Sequence, residues 1–441
     1  MSHIKGCLFF LPFFLGGIFS SFVQADKKLE ERVLFLGLPT GIFTSIDFIR
    51  KEDKVLIVDK RTALDPHHQD ELSQYDEVIP VDDYYNSGEV TLAALKSFAD
   101  KPYSTLIALS ESDILRAGAL RDYLHIKGQS LSSAEAFRNK VVMKDTLEKN
   151  GIKTAPFTPL KTELDLIRFI ELNGYPVIIK PRKAYGAIET YVLKSKDDLE
   201  AILKTKNVFD EFQNEKFFVE SFIDGDMYHV DGLIYKGKIV FICPSEYTSP
   251  CLEMNKAENS HRKGYSASYI LPSEAPVAKE LISLTQKVLK ALPTPQNSAF
   301  FLEVFRDKKG EFIVCEIASR VGGYPNPHVL WKAFSIDLKK EFIRLQTGLP
   351  PSFSWKNKAK EYFGAIALGT EKGQFKGLDK KLSDIKEKKL FVNEGESYDT
   401  TSGYLSLAAS FVLPVKDKEH FIKQTEDIAT SFYSKDCWDI K

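Results

Sequence analysis

Cysteine is scarce in this chain, with five among 441 residues: Cys7, Cys243, Cys251, Cys315 and Cys437. Their spacings fit no zinc pattern and no two form a CxxC pair, which argues against a structural zinc or a dithiol redox centre. They read as buried or idle thiols, with an extracellular-type Cys243–Cys251 bridge as the other reading. An excess of one charge is also missing. Sixty basic residues face 61 acidic ones, for a formal net charge of -1. Nothing in the bulk charge points to nucleic acid, no nucleic-acid partner is expected, and any basic site must be local. There is one long apolar run, Cys7 to Val23, which gives poor support to a transporter or channel. The first turn after an apolar strand reads Gly37-Leu38-Pro39-Thr40-Gly41 and lacks GxGxxG, which argues against a dinucleotide site there. Internal repeats and low-complexity stretches do not stand out.

The composition that remains, 43% hydrophobic and 27% charged, is ordinary for a globular protein, and the length calls for two or three domains. At the N-terminus, Lys5 precedes the apolar run and Val23-Gln24-Ala25 follows it. That is the layout of a secretory signal peptide. The run is short for a spanning helix, which needs about 20 residues, and Pro12, Gly16 and Gly17 weaken it. An uncleaved anchor is the second reading and would allow membrane association through residues 7–23. In that case Lys27, Lys28 and Arg32 after the run, against Lys5 before it, place the large C-terminal part in the cytoplasm. Export and a cytoplasmic domain conflict, and localisation stays open between them.

After residue 25 the chain alternates short apolar runs with helical stretches. Arg32–Leu38, Val55–Val58, Val78–Val81 and Thr105–Leu109 read as strands, with helices around Phe43–Arg50, Thr91–Ala99 and Ile114–His125. That alternation predicts a parallel sheet covered on both faces over about residues 30–130. From Ser132 to Asn150 the pattern is one helix ended by Gly151, and Glu163–Asn173 is another. Strands follow at Val177–Lys180, Phe217–Phe222, Val230–Ile234 and Ile239–Ile242, the last three read as part of one mostly antiparallel sheet. Pro276–Leu292 is helical, and Ala299–Phe305 with Phe312–Ile317 form a hairpin. The fold class is α/β followed by α+β. The boundaries are 1–25 for the signal or anchor, 30–130, 131–350, and a Lys-rich α+β region over 351–441.

Several side chains ask for a partner. Lys180 ends the apolar strand YPVIIKP, where an unpaired ammonium is costly; phosphate or a strand-edge position would both satisfy it. Ala184-Tyr185-Gly186-Ala187-Ile188-Glu189 is a small-residue loop able to approach phosphate oxygens, or a plain hairpin turn. In FVESFIDGDMYHVDG, Glu220 sits on one strand while His229 and Asp231 share a face of the next. The strongest pair is Glu303 in FLEVF and Glu316 in CEIASRVGG, two carboxylates inside apolar strands. A shared divalent cation would account for both, and Mg²⁺ is held by few carboxylates plus phosphate oxygens. Arg320 follows, where a fixed guanidinium can grip a phosphoryl or carboxylate group.

Taken in order, Arg138-Asn139-Lys140, YPVIIKP, FVESFIDGDMYHVDG, FLEVF and CEIASRVGG resemble the ATP-grasp superfamily, and most of all its carboxylate–amine ligase branch. The ordered motifs span about residues 105–330. The resemblance implies an ATP-grasp fold over 131–350 preceded by a Rossmann-like domain, and an ADP-forming ligase joining a small-molecule carboxylate to an amine. It implies ATP and Mg²⁺, with Mn²⁺ as a substitute. Lys140 and Lys180 would contact ATP phosphates, and Tyr185, Gly186 and Ala187 would belong to a phosphate lid. Glu220, Ser221 and Phe222 would meet adenine, Glu303 and Glu316 would bind metal, and Arg320 would steady the transferred phosphoryl group. Three departures stand out. Ala318 replaces an asparagine metal ligand common in relatives. Met227 replaces a ribose-binding glutamate, which shifts that expectation to His229 or Asp231. The phosphate loop is poor in glycine. Rival readings are a degenerate ATP-binding protein and a carboxylate–thiol ligase or carboxylase on the same fold. No dedicated general base stands out; His229, His261 and Glu246 are the weak candidates, and Arg262 and Arg306 are candidates for a substrate carboxylate. Homo-oligomerisation is left open.

Overall fold

The computed structural model describes residues 31–205, 212, 214–249, 264–355, 359, 361–399 and 406–439. The apolar run at 7–23, Cys251, His261 and Arg262 lie outside them. Four parallel strands come first: β1 (Val33–Leu36), β2 (Lys54–Asp59), β3 (Glu77–Val81) and β4 (Thr105–Ala108), in the order β3-β2-β1-β4. β1, β2 and β4 are buried throughout, as a parallel sheet covered on both faces requires. Leu34, Val55 and Ile57 face the side of Val90, Ala94 and Ala117 from helices Glu89–Asp100 and Ile114–Leu124. Phe35, Leu56 and Ile107 face Ile46, Phe48 and Ile49. The alternation of strand and helix read from the sequence is therefore a Rossmann-like sheet.

Segment 43–50, expected to be helical, is a turn-rich irregular stretch instead. Phe43 stacks on Trp331 with ring centroids 5.2 Å apart, and the Phe43 and Thr44 N–H groups donate to Asp337 at 2.8 and 3.0 Å. A helix this short is marginal, and these tertiary contacts replace its internal bonds. The pattern over 132–150 is likewise two helices, Leu131–Arg138 and Lys140–Lys149. Asn139 leaves helical backbone (φ -95°, ψ 104°), and its side chain caps the second helix by accepting from Val141 N–H at 3.2 Å.

Two further sheets make the rest. The smaller contains β5 (Phe157–Pro159), β6 (Val177–Pro181), β7 (Tyr191–Leu193) and β8 (Phe217–Ser221), all antiparallel, in the order β5-β8-β6-β7. Val177, Ile179, Phe217 and Val219 pack beneath Leu166, Phe169 and Ile202 of its helices. The larger draws on β9 (Gly225–Tyr235), β10 (Lys238–Ser249), β11 (Tyr265–Ile270), β12 (Ser298–Asp307), β13 (Phe312–Ala318) and β14 (Phe363–Gly369). Beyond β15 (Gly373–Phe375) come β16 (Lys388–Leu390), β17 (Ser397–Tyr398), β18 (Leu407–Pro414) and β19 (Trp438–Asp439). Eight of these form one sheet, β13-β12-β9-β10-β11-β14-β18-β16, beside a small β17-β15-β19 sheet. β14, β16 and β18 thus continue the central sheet past residue 350. β8, expected beside β9 and β10, belongs to the smaller sheet; the chain changes sheets through Phe222, Ile223 and Asp224.

The central sheet packs Leu302, Val304, Val314 and Ile317 against Phe137, Met143 and Leu147. A second cluster holds Leu233, Phe241 and Ala299 with Val329, Leu330, Phe342 and Leu345 of helices Asn326–Phe334 and Leu338–Gln346. Among the described residues no helix is long and apolar enough to cross a membrane.

Candidate active site

A cavity of about 420 Å³ lies between the smaller and the central sheet. Strand alternation decides which residues face it. On β6, Val177 and Ile179 enter the core while Ile178 and Lys180 line the cavity. On β12, Phe300, Leu302 and Val304 point into the core while Phe301, Glu303 and Phe305 line it. β13 carries a bulge: Glu303 pairs with Glu316 and Val304 with Val314, which leaves Cys315 as the extra residue. The bulge re-aims the strand so that both Cys315 and Glu316 line the cavity.

The charged groups form one connected set. Lys140 Nζ lies 3.0 Å from Glu316 Oε2 and donates to the Ala184 carbonyl at 2.6 Å. Lys180 Nζ sits 2.7 Å from Glu220 Oε1 and 3.9 Å from Cys315 Sγ. The other Glu220 oxygen is 2.9 Å from Lys144 Nζ, a fully buried ammonium that the sequence reading did not single out. Tyr247, also missed, donates to Glu303 Oε1 at 2.9 Å. Arg320 is paired through Nε with Glu111, whose other oxygen takes Arg138 Nη1 at 2.7 Å.

Two half-buried carboxylates side by side cannot both ionise freely. Burial and the Glu316 charge push Glu303 up to about 7, against the donated Tyr247 hydrogen bond. Burial acts on Glu316 as well, but Lys140 and Lys180 outweigh it and hold that carboxyl down at about 2. Burial opposes the Glu220 charge too, and Lys144 and Lys180 keep it below the ordinary carboxylate range. The Glu303–Glu316 pair fits a hard divalent cation: it offers oxygen donors only, and a cation would relieve the repulsion that raises Glu303. Among the described residues no cluster of three or more His, Cys, Asp or Glu is placed to hold a metal. Two carboxylates with room beside them suit Mg²⁺, which keeps water and phosphate ligands.

The loop after Lys180 forms one wall through Tyr185, Gly186, Ala187 and Ile188. Ala187 and Glu189 adopt left-handed backbone at φ 57° and 49°, so this glycine-poor loop turns as a glycine-rich one would. Phe222 and Met227 also line the cavity. Ser221, His229 and Asp231, expected on the nucleotide side, are not among its lining residues. Ser221 alternates to the opposite side of β8 from Glu220, and its N–H donates to Pro156 O at 2.9 Å. The Phe222 N–H is likewise spent on Pro176 O at 3.1 Å. His229 and Asp231 are buried behind the Tyr247 and Phe301 rings, whose centroids lie 4.9 and 5.3 Å from the imidazole. Ala318 is buried and also outside the cavity lining. Glu246 bonds Tyr269 and Lys418 away from the cavity, and Arg306 folds back on Gly310 and Phe312. Ser266, Ser268, Ala365 and Ala367 complete the lining. No sequence motif marked them, because they are short side chains on strands β11 and β14.

A cavity between a small antiparallel sheet and a large one, lined by Lys140, Lys180 and the paired Glu303 and Glu316, is the arrangement expected of an ATP-grasp domain. Comparison with known proteins agrees: residues 172–327 match the family model of the ATP-grasp domain. The chain is 29% identical over 332 residues to an L-arginine-specific L-amino acid ligase of Bacillus subtilis, across 74% of this chain and 78% of that protein. Its fold matches that of an L-amino acid ligase from Bacillus licheniformis with a TM-score of 0.69 at 15% identity, over 91% of this chain and 98% of the other. It also matches the biotin carboxylase domain of Hydrogenobacter thermophilus 2-oxoglutarate carboxylase, solved with Mg-ADP and bicarbonate, with a TM-score of 0.63 at 16% identity, over 88% and 87% of the two chains. The chain carries an ATP-grasp domain.

Proposed function

We propose that this protein is an ATP- and Mg²⁺-dependent ligase that activates a carboxylate as an acyl phosphate and couples it to an amine, releasing ADP and phosphate. The observation that carries this reading is the convergence of Lys140, Lys180, Glu303, Glu316 and Arg320 on one cavity. Glu303 and Glu316 would hold Mg²⁺, or Mn²⁺ with the same oxygen preference, and the ion would neutralise phosphoryl oxygens. The apolar side chains of Ile178, Phe222, Ile223 and Met227 suit a base, and Lys140 and Lys180 suit a triphosphate. The substrate carboxylate attacks the γ-phosphorus and the bond to ADP breaks. An amine then attacks the acyl carbon and the carbon–oxygen bond to phosphate breaks. Lys140, Lys180 and Arg320 offset the charge that develops, so catalysis is positioning and electrostatics. The Tyr185–Glu189 loop would keep water from the acyl phosphate. The name of the Bacillus subtilis relative makes L-amino acids the first carboxylates and amines to try. Lys140, Lys180, Glu303, Glu316 and Arg320 on one cavity argue against the degenerate reading, and Ala318 and Met227 argue for it.

The test is ADP release by the purified protein with Mg-ATP and a pool of L-amino acids, beside Lys180→Ala and Glu316→Ala. Substrate-stimulated release, lost by at least a hundredfold in both variants, is the expected result, on the scale of removing one preorganised charge. ATP binding without stimulated release from any carboxylate–amine pair would overturn it.

A further inference from the structure

Asn326 has no part in the chemistry just described, yet it is 9% exposed and lines the same cavity as Arg320. Among the described residues its carboxamide has no hydrogen-bond partner. An amide buried in that condition is costly. Its nitrogen and oxygen are not among the fully enclosed polar atoms that lack a partner, so they open onto the cavity that Asn326 lines.

Asn326 is also the first residue of helix Asn326–Phe334, which is nine residues long. Pro325 before it supplies no side-chain cap, and no acidic residue stands in the first turn. The positive end of the helix dipole therefore meets the cavity wall without a capping carboxylate. The backbone donors of this turn are already used. The Asn326 N–H donates to Gly323 O at 3.0 Å and the His328 N–H to Pro325 O at 2.9 Å, while Pro327 has no N–H. The donor left at this terminus is the Asn326 side chain. Glu387, 3.2 Å from His328 Nε2, is balanced by Lys332 at 2.8 Å. Arg320 lines the same cavity, and its guanidinium is always charged. Helix dipole and guanidinium keep their sign whatever titrates nearby. The amide can turn either its N–H or its carbonyl outward, so its surroundings decide, and they favour an anion that meets the N–H.

We infer that Asn326 binds the carboxylate that is to be activated, donating an N–H to it at the N-terminus of helix Asn326–Phe334 while Arg320 faces the same anion. This assignment rests on the ligase reading above and gives its first substrate a place. That reading sets Arg320 against the transferred phosphoryl group, so the anion held beside Arg320 is the one that attacks the γ-phosphorus. Between the two residues in the chain, Gly323 and Pro325 also line the cavity, and neither adds a charge.

The experiment supplies the full-length protein with Mg-ATP and proteinogenic L-amino acids in pairs, one carrying isotopically labelled oxygen in its carboxylate. The attacking oxygen leaves with phosphate when the amine takes the acyl carbon, so label in the released phosphate identifies the carboxylate partner. In Asn326→Ala the apparent KM for that partner rises on the order of tenfold, the loss of one hydrogen bond to a charged group. The KM values for ATP and for the amine partner stay within about twofold, since no uniform binding to them is removed. Asn326→Asp keeps the shape but sets a negative charge against the anion, and raises the same constant on the order of a hundredfold. Its thermal midpoint does not fall, because an acid at a helix N-terminus is stabilising. A merely structural role would give that stability without the rise in KM. An unchanged carboxylate KM in both variants, a rise confined to the amine partner, or an equal rise in all three constants overturns the inference while the ligase reading stands. No stimulated ADP release by the wild type from any pair, or release with neither amide product nor label in phosphate, sinks the ligase reading itself, and this inference with it.

Discussion

Glu220 shows how one residue can serve the fold and the site together. It is 4% exposed and bound by Lys144 on one oxygen and Lys180 on the other. The two lysines differ in surroundings. Lys144 is sealed under the Phe157 ring, whereas Lys180 lines the cavity, where solvent or phosphate can replace a lost partner. Lys144→Ala leaves a buried carboxylate with half its compensation and a cavity besides, so it should cost about 3–5 kcal/mol of stability. Lys180→Ala should cost less stability and far more activity. Urea midpoints and ADP release measured on both variants check this inversion. If Lys180→Ala were the less stable of the two, the division of labour would be wrong. The sequence showed Lys180 because a lysine closing an apolar strand is conspicuous. Lys144 was invisible, because a lysine within a helical pattern reads as exposed until the fold buries it.

Elements show the same contrast. The strands of the first sheet were legible because buried parallel strands are continuous apolar runs. The hairpin of β12 and β13 was legible because two glutamates break its apolar pattern. Segment 43–50 was misread because its structure is set by Asp337, 294 residues after Phe43. Asp337 caps helix Leu338–Gln346 by accepting from Lys340 N–H at 3.2 Å. It also accepts from the Phe43 and Thr44 N–H groups and from the Thr44 hydroxyl at 3.1 Å. One buried carboxylate thus caps a helix and pins a loop. The bulge at Cys315 and the helix break at Asn139 are further cases in which no periodicity records the decisive geometry, although each aims a site residue. Asp337→Ala removes the cap and strands the loop donors, and should cost about 2–4 kcal/mol. Asp337→Asn, which keeps an acceptor, should recover a large part of that loss. Thermal unfolding of the pair is the measurement; a loss below about 0.5 kcal/mol, the level of an ordinary surface substitution, would refute the latch.

Across the whole molecule, Glu111 of the Rossmann-like unit reaches the cavity by pairing with Arg320. Glu111 follows β4 and is 7% exposed, with Arg138 on one oxygen and Arg320 on the other. Arg138 also donates to the Lys183 carbonyl and lies 6.0 Å from the Tyr185 ring of the loop over the cavity. The first sheet, the helix before Lys140, the loop over the cavity and the end of β13 therefore meet at one carboxylate. Burial opposes its charge, but the Arg320 and Arg138 guanidiniums outweigh burial and hold the carboxyl below its ordinary range. A depressed folded pKa means that the unfolded chain binds the proton more readily. The contribution of Glu111 is present at neutral pH, above the ordinary glutamate value near 4.5, and is lost as pH falls through the lower folded value. Glu111→Gln should therefore flatten the acid limb of the stability profile below the ordinary glutamate value near 4.5. At neutral pH it removes the ion pair at Arg320 Nε while leaving Lys140, Lys180, Glu303 and Glu316 in place. Substrate-stimulated ADP release should fall about a hundredfold, as expected for a misplaced charge, with ATP affinity changed less than about threefold. An unaltered rate would show that the first sheet supports the ATP-grasp domain without setting the direction of Arg320.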